Sequence, residues 1–133
     1  MLLSTTSIEK VTCLIVELPV KQCSLDLLPA WLMEQCKTEL APFLTDIFNS
    51  SLEAGEVLTV MKEAVISPRI KKFNLDLQEF SNYRTVSDLS IASKLLERLV
   101  VTRFVVHLEA NHLLPSKQSA YKSTTLQKQP FYD

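Results

Sequence analysis

The sequence predicts a mostly helical α+β fold: three N-terminal helices, a small β-hairpin and a long helix after it. Three observations carry this expectation. One glycine in 133 residues is far below the usual ~7%, so few tight turns needing positive φ can be built and long helices are favoured over a β-sandwich or small barrel. Hydrophobic residues make up 47% of the chain, enough for a core and too many for a disordered chain. Apolar positions recur at helical spacing over most of the length, and only two short stretches read as extended.

The first helix is expected from Thr6. Thr6-Ser7-Ile8-Glu9 has capping-box spacing, with a hydroxyl at N-cap and a carboxylate at N3. Ile8, Val11, Thr12 and Ile15 then share a face, and Pro19 ends the helix. Residues 20–28 read as a linker, and Pro29 suits the first position of a second helix whose apolar side is Trp31, Leu32 and Cys36. Pro42 is expected to break that helix and open a third, with Leu44, Ile47, Phe48, Ser51 and Leu52 at i, i+3, i+4 spacing. Gly55 falls where a left-handed C-terminal cap belongs. The run Ala64-Val65-Ile66-Ser67 reads as a buried strand that Pro68 closes or edges, and Tyr83 to Val86 as its partner. Arg69, Lys71 and Lys72 lie between them, in a connection longer than the usual hairpin loop. From Ser90 to Ala110 Leu95, Leu96, Leu99, Val100, Phe104 and Leu108 form a wide apolar stripe, as on a helix packed between other elements. Residues 123–133 are polar and aperiodic and read as a disordered tail.

Charge and cysteine usage exclude several classes. With 14 basic and 15 acidic residues the net charge is −1, so any nucleic-acid contact must come from a local basic patch. Cys13, Cys23 and Cys36 lack C-x-x-C spacing and are odd in number, against both a disulfide framework and a zinc site. His107 and His112 are five residues apart without a third ligand nearby. No apolar run reaches the ~18 residues of a membrane span. A soluble, intracellular protein is expected, with nucleus and cytoplasm not distinguished.

Several segments resemble one family, in order and near its spacing. Cys23-Ser24-Leu25-Asp26-Leu27-Leu28-Pro29-Ala30-Trp31-Leu32 resembles the pattern C-x-L-D-P-I/L-P-T-W-L. Phe43 to Gly55 is similar to a helix of the form I-x-N-x-S-L-x-x-G, and Lys62 to Lys72 to F-K-x-A-x-V-x-P-L-x-K-K. Asn82-Tyr83-Arg84-Thr85-Val86-Ser87-Asp88-Leu89-Ser90 resembles N-Y-R-P-I/V-S-N/L-L-S, followed by Ser93-Lys94-Leu95-Leu96-Glu97-Arg98 for S-K-I/L-L-E-K/R. His107 to Tyr121 is similar to H-L-x-x-N-x-L-F/L-x-x-x-Q-S/F-A/G-F/Y-R. These patterns are those of non-LTR (LINE-type) retrotransposon reverse transcriptases of the jockey and chicken-repeat kind, and the likeness covers roughly residues 4–122.

The resemblance implies a helical N-terminal extension over 1–57 and a fingers-like part of a reverse transcriptase over 58–122. It assigns nucleotide or template contacts to Lys71, Lys72 and Arg84, with Gln118 and Tyr121 on the template side. Phosphates explain the residue types, since cations on a short hairpin ease the approach to dense negative charge and a guanidinium can grip phosphate bidentately. Taken alone, the same residues read as ordinary solvated turn charges, with Arg84 free to pair with Glu79 or Asp88. The family's metal-binding patterns, F-x-D-x-x-x-A-F-D and F/Y-A-D-D, are absent from the 133 residues, so magnesium-dependent polymerisation is not expected of this chain alone. Thr85 stands where the family has proline, which loosens the backbone after Arg84. The expected function is therefore that of a truncated, non-catalytic polymerase fragment with weak, salt-sensitive binding to RNA or DNA. The alternatives are a helical module that docks a protein partner through exposed apolar surface, or a retroelement remnant without function.

Overall fold

The computed structural model describes residues 4–17 and 23–113. Along them run α1 (Ile8–Val16), α2 (Ala30–Gln35), α3 (Lys37–Ala54), a 3-10 turn (Thr59–Lys62), β1 (Ala64–Ile70), a second 3-10 turn (Phe80–Asn82), β2 (Tyr83–Leu89) and α4 (Ile91–Ala110). They fall into two units that divide between Leu96 and Glu97. Pro19 and the tail 123–133 lie outside the described residues.

In the first unit α1 packs on α3, and α2 touches both. The N-cap falls one residue later than expected, which leaves Lys10 at N3, so no capping box closes. Ser7, not Thr6, is the N-cap, with φ −97° and ψ 159°, and its hydroxyl accepts the Lys10 amide at 3.3 Å. Thr6 is held elsewhere: its amide donates to Asn49 Oδ1 at 2.6 Å, and Asn49 Nδ2 donates to the Thr6 carbonyl at 3.1 Å. A tertiary clasp to α3 thus outcompetes the local box. The buried face of α1 is Val11, Leu14 and Ile15, whereas Ile8 is exposed and the Thr12 hydroxyl is spent on the Ile8 carbonyl.

Pro29 precedes α2 as its N-cap instead of opening it. Trp31, expected on the apolar side, is 56% exposed. Leu32 and Cys36 stand four apart and are half-buried. Trp31 is one residue off that line, about 100° round the helix. The break after α2 comes at Cys36, not at Pro42, which lies in the second turn of α3. The Cys36 carbonyl already accepts the Glu39 and Leu40 amides at 3.1 and 2.9 Å, so α3 is under way before the proline. Pro42 forfeits only the bond to the carbonyl of Thr38, an exposed residue, while Ala41 and Thr45 beside it are buried. The core face of α3 is Ala41, Thr45, Phe48, Ser51 and Leu52, and Ile47 lies outside it. Gly55 ends the helix at φ 68°, where its own amide and that of Glu56 both return to the Ser51 carbonyl.

β1 and β2 form a two-stranded antiparallel ribbon that pairs Ala64 with Leu89 and Ile70 with Tyr83. β1 runs through Pro68, so of the two expectations for that residue the edge placement holds and the closure does not. The Lys71 amide bonds the Asn82 carbonyl at 2.9 Å, so by alternation the amide position of Pro68, opposite Thr85, faces away from β2. A missing N–H costs the ladder nothing at that place. Thr85 lies in the middle of β2, opposite Pro68.

In the second unit, the part of α4 from Glu97 onward carries the buried Leu99 and the exposed Phe104 and Val106. Its C-terminus turns at His112, whose φ of 54° lets the Leu113 amide reach the Leu108 carbonyl at 2.9 Å. No described helix is long and apolar enough to cross a membrane.

Candidate nucleic-acid interface

The ribbon is anchored at its root by Asp26. One carboxylate oxygen accepts the Ile91 amide at 2.6 Å, in the first turn of α4, and the other accepts the Cys23 amide at 2.7 Å. Cys23 is buried, and its thiol reaches the Asp88 carbonyl at 3.5 Å, near the end of β2. Ser90 completes the cap, its hydroxyl accepting the Ser93 amide at 3.3 Å, while the Ser93 hydroxyl donates to the Met61 carbonyl at 2.9 Å. The Cys-x-x-Asp stretch, the end of β2, the first 3-10 turn and the start of α4 are thereby tied together. A carboxylate at a helix N-terminus also meets the positive end of the helix dipole.

Away from this root, pairing and pleat decide which cations share a face. Residues opposite each other point the same way, so Val65, Ser67 and Arg69 lie on one face with Asp88, Val86 and Arg84. Val65, Ser67, Val86 and Asp88 are half-buried, whereas Arg69 and Arg84 are exposed at the open end. The two arginines are direct cross-strand partners. Like charges so placed destabilise a ribbon. Neither Arg69 nor Arg84 makes a side-chain hydrogen bond or ion pair with a described residue, and Glu79 and Asp88 leave Arg84 unpaired. Lys71 continues past the end of β1, its ammonium donating to the Ser81 carbonyl at 2.8 Å, and Lys72 follows in the bend.

The structure thus gathers Lys71, Lys72 and Arg84 at one end of the hairpin and adds Arg69. Gln118 and Tyr121 lie outside the described residues. Arg69 stands where the family pattern has an apolar residue, so only the cross-strand register identifies it. Asp26, too, has a role that spacing does not show, because its helix partner is 65 residues away. The described aspartates stand apart from one another, and Asp133 lies outside the described residues. Asp26 is committed to two amides, Asp46 lies on α3, Asp76 accepts the Gln78 amide, and Asp88 lies on β2. Among the described residues no group of three or more His, Cys, Asp or Glu could hold a metal ion.

No family model matches the chain. Over 121 residues, or 90% of its length, it is 30% identical to the RNA-directed DNA polymerase from mobile element jockey of Drosophila melanogaster. The chain spans 13% of the length of that protein. The basic hairpin therefore belongs to a chain related, across most of its own length, to part of a retrotransposon RNA-directed DNA polymerase.

Proposed function

We propose that the chain is a fingers-type element of a non-LTR retrotransposon polymerase, in which the end of the hairpin holds the phosphates of nucleic acid or nucleotide. The observation that carries this reading is the facing pair Arg69 and Arg84, exposed and without an acidic partner among the described residues. A bound phosphate turns that repulsion into two charge-assisted contacts, each guanidinium offering a fork of N–H donors. Lys71 and Lys72 extend the positive field toward the connection, and Gln118 and Tyr121 are assigned to the template side by the resemblance. The likeness to the jockey polymerase supports the same reading. Phosphoryl transfer by two metal ions about 4 Å apart needs clustered carboxylates. The proposal gives the described residues no part in that step.

A filter-binding titration with single-stranded RNA at low salt tests the proposal. Lys71→Ala and Arg84→Ala are each expected to weaken binding roughly fivefold, the scale of about 1 kcal/mol, with Arg84→Lys retaining more than Arg84→Ala. Absence of binding by the unmodified chain at low salt rules the proposal out. A second reading, a protein-docking module, is favoured by an open groove of about 530 Å³ at the end of α3, where Ile47, Ala54, Val57 and Leu58 share the lining with polar residues that include Glu56 and Lys62. Partner capture indifferent to the hairpin charges would support it.

A further inference from the structure

The connection between the strands, residues 71–82, is ordered by its own polar groups. The Asn82 side-chain amide donates to the Asp76 carbonyl at 2.9 Å, and the Tyr83 hydroxyl to the Leu77 carbonyl at 3.1 Å. Asp76 Oδ1 accepts the Gln78 amide at 2.9 Å, and the Lys71 ammonium bonds Ser81 from the other side. Backbone bonds from Leu75 to Lys72 and from Asn82 to Glu79 close two tighter turns. A connection tied in this way could fold its apolar side chains inward. Only Leu75 is half-buried; Phe73 is 99% exposed, Phe80 91% and Leu77 65%. Large apolar groups held in water by an ordered loop mark a contact surface.

The surroundings select the occupant. Between Arg69 and Arg84 stand four cations (Arg69, Lys71, Lys72, Arg84) against two carboxylates (Asp76, Glu79), in a chain of net charge −1. One of those carboxylates is engaged with the Gln78 amide. The ligand is therefore anionic and offers flat apolar faces to rings, which describes a strand of nucleotides with unpaired bases. A duplex presents the same phosphates but keeps its base faces stacked inside. Aromatic side chains beside a basic groove are the usual means of holding single strands without regard to sequence.

Resting on the nucleic-acid reading above, we infer that Phe73 and Phe80 are stacking platforms for unpaired bases, so that the hairpin tip takes single-stranded nucleic acid in preference to duplex. Arg69 and Arg84 supply the phosphate contacts common to both forms, and the two rings supply the discrimination. Both side chains are exposed, so their removal leaves the core untouched, and a circular dichroism melt verifies that the variants fold.

The test is fluorescence anisotropy of the full chain with three labelled probes: a 15-nucleotide oligouridylate, an abasic strand of the same length, and a duplex of equal phosphate count. Phe73→Ala/Phe80→Ala is expected to weaken oligouridylate binding by about tenfold per ring, the scale of one base–aromatic stack, and to leave duplex and abasic binding unchanged. The unmodified chain should bind the abasic strand only as well as the doubly substituted chain binds oligouridylate, and Phe→Tyr at both positions should restore affinity. Unaltered oligouridylate binding by the alanine variant, with Arg84→Ala still weakening it, overturns the stacking role and leaves the phosphate reading standing. Failure of the unmodified chain to bind any probe overturns both. Phenylalanine-dependent capture by phosphatidylserine vesicles, without the probe discrimination, overturns the inference in favour of a membrane-surface contact.

Discussion

Thr6 is buried and has its amide and carbonyl both taken by Asn49, yet its hydroxyl finds no partner among the described residues. A buried hydroxyl without a bond costs more than the same volume of hydrocarbon. Thr6→Val keeps the β-branched shape and the Asn49 clasp, and is expected to raise unfolding stability by about 1 kcal/mol, seen as a higher midpoint in urea. A lower midpoint would mean that the hydroxyl is bonded in solution. At the neighbouring N-terminus of α1, the Glu9 carboxylate accepts its own backbone amide and the Ser7 hydroxyl, which hold it below the ordinary carboxyl range. A depressed folded value adds stability above the unfolded value and loses it as pH falls through the folded one. Acid therefore loosens this turn, modestly, because the group is fully exposed. Sequence spacing located the start of α1 but chose Thr6 over Ser7, since nothing local reveals that Asn49, 43 residues on, claims the Thr6 backbone.

Among the elements, α4 depends on a cap borrowed from far along the chain. Asp26→Ala removes the acceptor of both the Ile91 and Cys23 amides, and is expected to cost about 1–2 kcal/mol, in the range of lost helix caps. Asp26→Asn, which keeps one acceptor oxygen, should cost less. Equal stability of all three chains in thermal melts would show that the clamp does not support the helix. The elements were unequally legible. Gly55 could be placed at the end of α3 because a lone glycine near a helix terminus has one good use, the left-handed cap. Pro42 misled because a proline in a second turn can be carried when buried residues flank it. Pro68 takes the edge placement, one of the two readings its position offers, because a two-stranded ribbon has outward amide positions that need no donor. The partnership of Arg69 with Arg84 was hidden because the register across a twelve-residue connection (71–82) is set by the loop's own hydrogen bonds.

For the whole molecule, the balance of charge matters less than its placement. A chain of net charge −1 attracts no polyanion by its total, but it carries four cations at one end of a ribbon whose opposite end is clamped by Asp26 and Cys23. Any affinity for nucleic acid must therefore be local, depend on salt, and respond to single charges. The measurement that tests this most directly is the slope of log affinity against log salt concentration for single-stranded RNA. Four phosphate contacts through Arg69, Lys71, Lys72 and Arg84 predict a slope near about −3, with Arg84→Ala reducing its magnitude by about 0.7. A flat dependence, or a slope that Arg84→Ala does not change, would contradict the account.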